Sequence, residues 1–171
     1  AMEYATKARQ LEQGGSGADL LLGDIYHKTE DYEQAIGAYR RALEQQGNKP
    51  DILVPLAGAY LNIGRAQAAK ELLDTAIEMA PENCTAYQHM GFAQLRLKNI
   101  EDSIEMYEKA VSICGNSWKA YKGLGVVYMI KYLNTDNGQS WRVKALEQWN
   151  KSLSINSDQP NLRQFIEKYS D

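Results

Sequence analysis

The side chains that could support chemistry in this chain are few and widely spaced. Its two histidines, His27 and His89, lie 62 positions apart, and neither has the short-range partner that a zinc site needs. The segment Asp136-Asn137-Gly138 lacks the ligand spacing of a calcium loop, and the glycines form no phosphate-binding loop. We therefore predict no catalytic residue, no metal site and no cofactor.

The composition excludes two classes of partner. The 171 residues are 44% hydrophobic and 24% charged, with a net charge of -3. A general nucleic-acid binder would carry a basic surplus, and a membrane span needs roughly 18 or more consecutive apolar residues. We expect no nucleic-acid partner and no membrane insertion.

The elements that must position the side chains follow a period of 34 residues. Four dipeptides mark it: Leu22-Gly23, Leu56-Ala57, Met90-Gly91 and Leu124-Gly125. The same step separates the residues of a second set: Tyr26, Tyr60, Gln94 and Tyr128. A fixed period in this range is the signature of a solenoid, in which each unit buries its apolar face against its neighbours.

Each period reads as two antiparallel helices, helix A followed by helix B, because apolar residues recur at steps of three and four. The predicted helices of the first three units cover 18–29, 32–46, 52–63, 66–79, 85–97 and 100–114. Glycine inside a helix costs about 1 kcal/mol relative to alanine, which is tolerated where two backbones pack closely. We expect helix-B alanines such as Ala35 and Ala110 to face the small helix-A residues, and large residues such as Tyr39 and Tyr107 to fill the spaces between.

This pattern resembles the tetratricopeptide repeat (TPR) family, whose motif combines Leu-Gly, Tyr, Ala, an aromatic residue and a second Ala. The first unit carries the motif as Leu22, Gly23, Tyr26, Ala35, Tyr39 and Ala42. The resemblance implies an all-α fold: a right-handed α-solenoid of four TPR helix hairpins, with a C-terminal capping helix and a partial N-terminal helix. The predicted segments are 1–15 (partial helix and turn), 16–49, 50–83, 84–117 and 118–158 (four repeats), and 159–171 (capping helix).

Two positions depart from the repeat. Pro55 falls inside a helix, where proline removes a hydrogen bond, so we expect that helix to begin late, near Ile52. In the first three units nine positions separate the tyrosine position of helix A from the first alanine position of helix B, whereas 17 positions separate Tyr128 from Ala145. The fourth repeat therefore carries eight extra residues between its helices. We expect its helix A to extend through Leu133.

The inserted segment has the composition of a loop, and we expect Ser140 to cap a helix B that begins at Trp141. Together with Tyr132 and Trp149, Trp141 brings aromatic surface to this edge, which suggests a second contact site. The alternative is packing under the capping helix, which we favour for Trp149.

The resemblance also implies a concave groove lined by the helix-A faces. The predicted peptide-binding residues are Leu20, Asp24, Val54, Leu61, Gln88, Phe92, Leu95, Arg96, Lys119, Lys122, Val126 and Met129. The middle of this set is apolar. Towards its C-terminal half lies a basic fringe, which consists of Arg96, Lys119 and Lys122 and which we extend to Lys131. We expect a peptide or amphipathic helix with an acidic end.

Some TPR proteins bind the C-terminal carboxylate of chaperones through lysine, arginine and asparagine. The matching positions here are Leu20, Asp24, Pro55, Thr85 and His89. If the clamp is placed one repeat later, only Lys119 matches the residue type that the clamp requires. A buried carboxylate would lack charge-assisted partners at these positions, so we predict that this chain has no chaperone clamp.

Cys84 and Cys114 fall at neighbouring ends of the third predicted hairpin. That placement allows a disulfide, although two free thiols are slightly favoured by the sequence alone. A bridge would indicate an oxidising compartment such as a bacterial periplasm, and free thiols leave a cytoplasmic location open.

The function that we predict is protein–protein binding, as a non-enzymatic adaptor or scaffold domain. Two alternatives remain open: a self-assembling structural TPR protein that oligomerises through its ends or its groove, and a regulatory domain of a larger enzyme.

Overall fold

The computed structural model describes residues 17–136 and 138–170, and all regular structure in these residues is α-helical. The predicted partial helix in 1–15 lies outside the described residues. The helices are α1 (Ala18–Lys28), α2 (Tyr32–Gln46), α3 (Pro50–Asn62), α4 (Ala66–Met79), α5 (Cys84–Arg96), α6 (Ile100–Ile113), α7 (Trp118–Leu133), α8 (Gln139–Ile155) and α9 (Pro160–Ser170).

The chain divides into two compact units, 1–81 and 82–171. In the first unit α1 packs against α2 and α3 packs against α4, with α2 and α3 joining the two hairpins. In the second unit α5 packs against α6 and α7 against α8, while α6 contacts α7 and α9 covers α8. Each unit is thus a short stack of helix hairpins.

Close approach of the paired helices explains the glycines of the period. A Cβ atom added to Gly91 would lie 2.8 Å from the ring of Tyr107, and one added to Gly23 would overlap the ring of Tyr39. In the fourth hairpin Trp149 covers Gly125 in the same way. The small residue on helix A therefore makes room for the aromatic ring of helix B, whereas the sequence led us to expect helix-B alanines opposite these glycines.

The turn within each of the first three hairpins has one geometry. It contains one residue in the left-handed region: Glu30 (φ 63°), Gly64 (φ 78°) and Lys98 (φ 66°), at steps of 34. The amide of the next residue bonds back to the last turn of helix A, as in Asp31 to the Tyr26 carbonyl at 2.9 Å. This is the six-to-one bond of a Schellman motif, which satisfies a carbonyl left open by the helix end.

Serine replaces alanine at two buried helix-B positions, and each hydroxyl gains a partner on helix A. Ser103 Oγ donates to the Gly91 carbonyl at 2.7 Å, and Ser152 Oγ donates to the Trp118 carbonyl at 2.8 Å. The buried hydroxyls are therefore satisfied, which is the condition for polar groups in a core.

The prediction that proline delays a helix start is wrong. α3 begins at Pro50, so Pro55 is its sixth residue. Pro50 occupies the first turn, where its missing N–H costs nothing. The carbonyl that Pro55 leaves without a helical partner belongs to Asp51, which is exposed to water. The helix therefore continues through Pro55.

The predicted start of the last repeat's helix B is also wrong. α8 begins at Gln139 with Gly138 as its N-cap, not at Trp141 with Ser140. The Trp141 amide donates to the Gly138 carbonyl at 2.8 Å, which closes the first turn earlier. In the third hairpin Asn83 caps α5 by accepting from the Ala86 amide, so that helix begins one residue before the predicted start.

The C-terminal helix covers the last hairpin, as predicted. Leu162 of α9 is 2% exposed and belongs to the same core cluster as Trp149 and Leu124. The ring centroids of Trp149 and Phe165 lie 6.2 Å apart. Trp149 thus packs beneath the capping helix.

Candidate peptide-binding surface

The predicted groove residues of the first unit offer little open apolar surface. Val54 and Leu61 are each 5% exposed. Leu20 is half-buried and packs against the cluster around Tyr39. Asp24 is exposed, and its carboxylate accepts a hydrogen bond of 2.8 Å from the Tyr39 hydroxyl. The Asp24 carboxylate is therefore already engaged within the hairpin.

In the second unit the predicted residues of α5 have three different environments. Phe92 is 37% exposed and Arg96 is exposed, so both are accessible. Leu95 is half-buried against the core cluster. The Gln88 side-chain oxygen accepts a hydrogen bond of 3.1 Å from the Ser117 hydroxyl, at the start of α7.

One face of α7 carries the remaining predicted residues. Lys119, Lys122, Val126 and Met129 follow steps of three and four, which place them in one stripe along the helix. The two lysines are exposed, Val126 is half-buried and Met129 is 5% exposed. The stripe therefore changes from cationic to apolar towards the C-terminal end of the helix.

The apolar end of this stripe opens into a pocket of about 350 Å³ between α7, α8 and α9. We call it the cap pocket. Its lining residues are Lys122, Val126, Met129, Ile130, Leu133, Trp149, Asn161, Leu162, Phe165 and Tyr169.

The groove predicted from the sequence includes three of these lining residues and misses most of the others. The signal is present in the sequence: Leu133 continues the α7 stripe, and Leu162, Phe165 and Tyr169 form one stripe on α9. Taken alone, these stripes indicate a helix extension and a cap, and they do not indicate two walls of one pocket.

The basic fringe is smaller than predicted. Within the described parts of the chain no ion pair involves Arg96, Lys119 or Lys122. Lys131 instead pairs with Glu101, and its ammonium lies 5.3 Å from the ring centroid of Trp141. Lys131 therefore does not belong to the fringe.

Trp141 takes part in a separate aromatic cluster beside the insertion. Its ring centroid lies 5.6 Å from that of Tyr128, and the Lys144 ammonium lies 4.6 Å from the Trp141 ring. The Tyr128 hydroxyl donates to Glu108 at 2.5 Å. This cluster packs the fourth hairpin together and leaves Trp141 half-buried.

Cys84 and Cys114 are joined by a disulfide, with their Cα atoms 5.9 Å apart. The bridge connects the first residue of α5 to the residue that follows α6. The structure thus has the pairing that the sequence left open, in place of two free thiols.

Three tyrosines have perturbed acidity because they are buried in the hairpins. Burial raises the pKa of the Tyr107 phenol above its ordinary value of 10.0. Burial and the hydrogen bond to Asp24 raise the pKa of Tyr39, and burial and the hydrogen bond to Glu108 raise the pKa of Tyr128. These phenols stay protonated, so they serve packing and hydrogen bonding, not proton transfer at neutral pH.

Across residues 17–136 and 138–170 no group of histidine, cysteine and acidic side chains is arranged to hold a metal ion. Over the same ranges no helix has the length and hydropathy to cross a membrane.

The hairpin stack, its turn geometry and the aromatic-over-glycine packing define a protein of the tetratricopeptide-repeat class. A family model described as the cytochrome c-type biogenesis protein H TPR domain matches residues 10–121, more than half of the chain. The chain belongs to this family. Its repeat fold is typically a non-catalytic scaffold.

Comparison with individual proteins agrees with this assignment. The cytochrome c-type biogenesis protein CycH of Pseudomonas aeruginosa is 28% identical over 138 residues, which are 78% of this chain and 34% of that protein. The chain spans about a third or less of the length of the curated relatives it matches.

Two solved structures share the fold. A thermophilic TPR protein of Thermus thermophilus has a TM-score of 0.77 at 20% identity, covering 91% of this chain and 81% of that one. The first TPR of Spaghetti (RPAP3), bound to the HSP90 peptide SRMEEVD, has a TM-score of 0.63 at 21% identity, covering 67% and 91%.

Proposed function

We propose that this chain is a protein-binding adaptor domain whose second unit holds a peptide or an amphipathic helix against the helix-A faces of α5 and α7. One observation supports this most directly. Phe92 is exposed on α5, and the same two helices carry three exposed cations, Arg96, Lys119 and Lys122, that form no ion pair with the described residues. Accessible apolar side chains on a surface that also carries charge are typical of interaction sites.

The charge of this surface indicates the polarity of the partner. Arg96, Lys119 and Lys122 would attract a segment with acidic residues, although the chain as a whole has a net charge of -3. The Spaghetti structure gives a precedent for the fold, since the peptide bound there contains two glutamates and one aspartate.

The mode of binding that we propose differs from a carboxylate clamp. The clamp positions hold Leu20, Asp24, Pro55, Thr85 and His89, which supply neither the lysines nor the asparagines that the clamp requires. The cations available here lie on α7 and at the end of α5 instead. We therefore place the acidic part of the ligand beside α7.

The test is selection of peptides about 12 residues long from a displayed library on the immobilised chain, followed by affinity measurement in solution. Phe92→Asp should abolish binding of the selected peptides while the circular dichroism spectrum stays unchanged. Leu21→Asp is the matched control, because Leu21 is 53% exposed and lies on α1 outside the proposed surface. Equal binding by wild type and Phe92→Asp would contradict the proposal.

Self-assembly is the alternative that the same surface could serve. Light scattering on a size-exclusion column over a wide concentration range separates the two. A monomer at all concentrations supports the adaptor role, and an oligomer that Phe92→Asp dissociates supports the structural one.

A further inference from the structure

We propose that the cap pocket is an anchor site for one large apolar side chain that carries a carboxylate next to it. This inference rests on the proposed function and specifies the ligand chemistry of one part of that surface. It assigns a binding role to the capping helix, which otherwise only closes the repeat stack.

The shape of the pocket suits an inserted side chain. Its volume of about 350 Å³ lies at the small end of ligand pockets. Its floor contains Met129, Leu162 and Trp149, which are 5%, 2% and 3% exposed. These side chains are fixed in the core cluster, so the floor is formed before any ligand arrives.

The rim of the pocket consists of apolar side chains that remain open to water. Leu133 is 60% exposed and Phe165 is 49% exposed, although both line the pocket. Burying them is favourable by about 25 cal/mol for each Å² removed from water. An apolar side chain between them would bury both at once.

The charges of the pocket select an acidic ligand. Lys122 is the charged residue of the lining, and Asn161, Tyr169 and Trp149 carry its other polar side-chain atoms, so no carboxylate of the lining opposes an anion. A ligand with its apolar group between α7 and α9 would therefore direct a carboxylate towards Lys122.

Three small probes separate the apolar from the ionic contribution: 4-phenylbutyrate, 4-phenylbutan-1-ol and butyrate. Each is titrated into the full, isotopically labelled chain and followed by amide chemical shifts. We expect 4-phenylbutyrate to shift the amides of Val126, Met129 and Leu162 in a saturable way. The alcohol should bind roughly two- to five-fold more weakly, as the loss of one exposed ion pair predicts, and butyrate should not bind.

Two variants identify the groups responsible. Lys122→Gln should remove the preference for the acid over the alcohol without changing affinity for the alcohol. Leu133→Asp should weaken binding of both aromatic probes. Val143→Asp is the matched control, because Val143 is 50% exposed on α8 and does not line the pocket.

The proposal is overturned if the shifts do not map to the pocket, or if the acid preference survives Lys122→Gln. It is also overturned if the chain dimerises and Leu133→Asp dissociates the dimer, because a second copy would then be the occupant. Selected peptides that require Phe92 but ignore Leu133 and Lys122 would overturn this inference and leave the proposed function standing.

Discussion

The indole nitrogen of Trp149 donates to the backbone carbonyl of Lys122 at 3.3 Å, and the same ring covers Gly125. One helix-B side chain thus fixes the separation of α7 and α8. It also forms part of the cap-pocket floor. Helix packing and pocket shape therefore depend on the same contact.

This contact makes Gly125 sensitive to a single methyl group. Gly125→Ala would place Cβ against the Trp149 ring and 3.0 Å from the Ala145 carbonyl. Overpacking of this kind costs about 1–3 kcal/mol, which exceeds the gain of about 1 kcal/mol from helix propensity. Urea unfolding should show a net loss of stability.

Gly37→Ala is the matched control for that substitution. Gly37 lies inside α2, and a Cβ there would meet only the end of the Arg41 side chain at 3.7 Å. This variant should gain about 0.5–1 kcal/mol. If both substitutions changed the free energy of unfolding equally, the contact between Cβ and the Trp149 ring would not explain the loss of stability in Gly125→Ala.

The left-handed turn residues lead to a second prediction. Lys98 has a φ of 66°, which glycine adopts without steric cost. Lys98→Gly should therefore raise the free energy of unfolding, by up to about 1 kcal/mol after the entropy cost of glycine. Gly64→Ala at the equivalent turn should lower it by a similar amount, and thermal melting of both variants checks the opposite signs.

The disulfide gives a third prediction. The bridge joins cysteines 30 residues apart, and cross-links of such loops contribute about 3–4 kcal/mol. The double variant Cys84→Ser/Cys114→Ser should lose this stability in urea unfolding under oxidising conditions. Adding a reductant to the wild type should lower its stability to that of the variant, and an unchanged wild type would contradict the pairing.

A fourth prediction concerns alkaline stability. The folded-state pKa of Tyr107 lies above 10.0 because of burial, so the folded protein holds the phenolic proton more tightly than the unfolded chain. The stability from this difference is present below about pH 10 and is lost as the pH rises through the folded-state pKa. The free energy of unfolding should thus decline above about pH 10.

Tyr107→Phe tests the origin of that decline. The variant lacks the ionisable group, so its loss of stability above about pH 10 should be less steep, by up to about 1.4 kcal/mol per pH unit. Urea unfolding at several pH values between about 9 and 11 compares the two slopes. Identical slopes would assign the decline to other groups.

The sequence predicts the helices well where the period and the turn residues agree. α2 and α4 occupy the predicted ranges, because each lies between a left-handed turn and the end of an apolar stripe. The covering of Gly91 by Tyr107 differs from the prediction, which placed helix-B alanines opposite the glycines. Local spacing thus locates the helices, but it does not determine which side chains meet between them.

The candidate site is less predictable because it depends on contacts between helices. A position in the repeat gives the direction of a side chain, but it does not say how far its neighbours cover it. Val54 and Phe92 are both predicted groove residues, yet one is 5% exposed and the other 37%. The cap pocket requires the approach of α9 to α7, which no local spacing encodes.

The insertion in the fourth repeat changes the length of a helix. α1, α3 and α5 have 11, 13 and 13 residues, whereas α7 has 16. Three additional residues extend a helix by about 4.5 Å, and the last of them is Leu133. An ordinary repeat would turn before reaching that point, so a chain with the standard spacing would have a cap pocket without Leu133 on its rim. The extra residues therefore work as a spacer that lets the terminal hairpin differ from the others without disturbing their register.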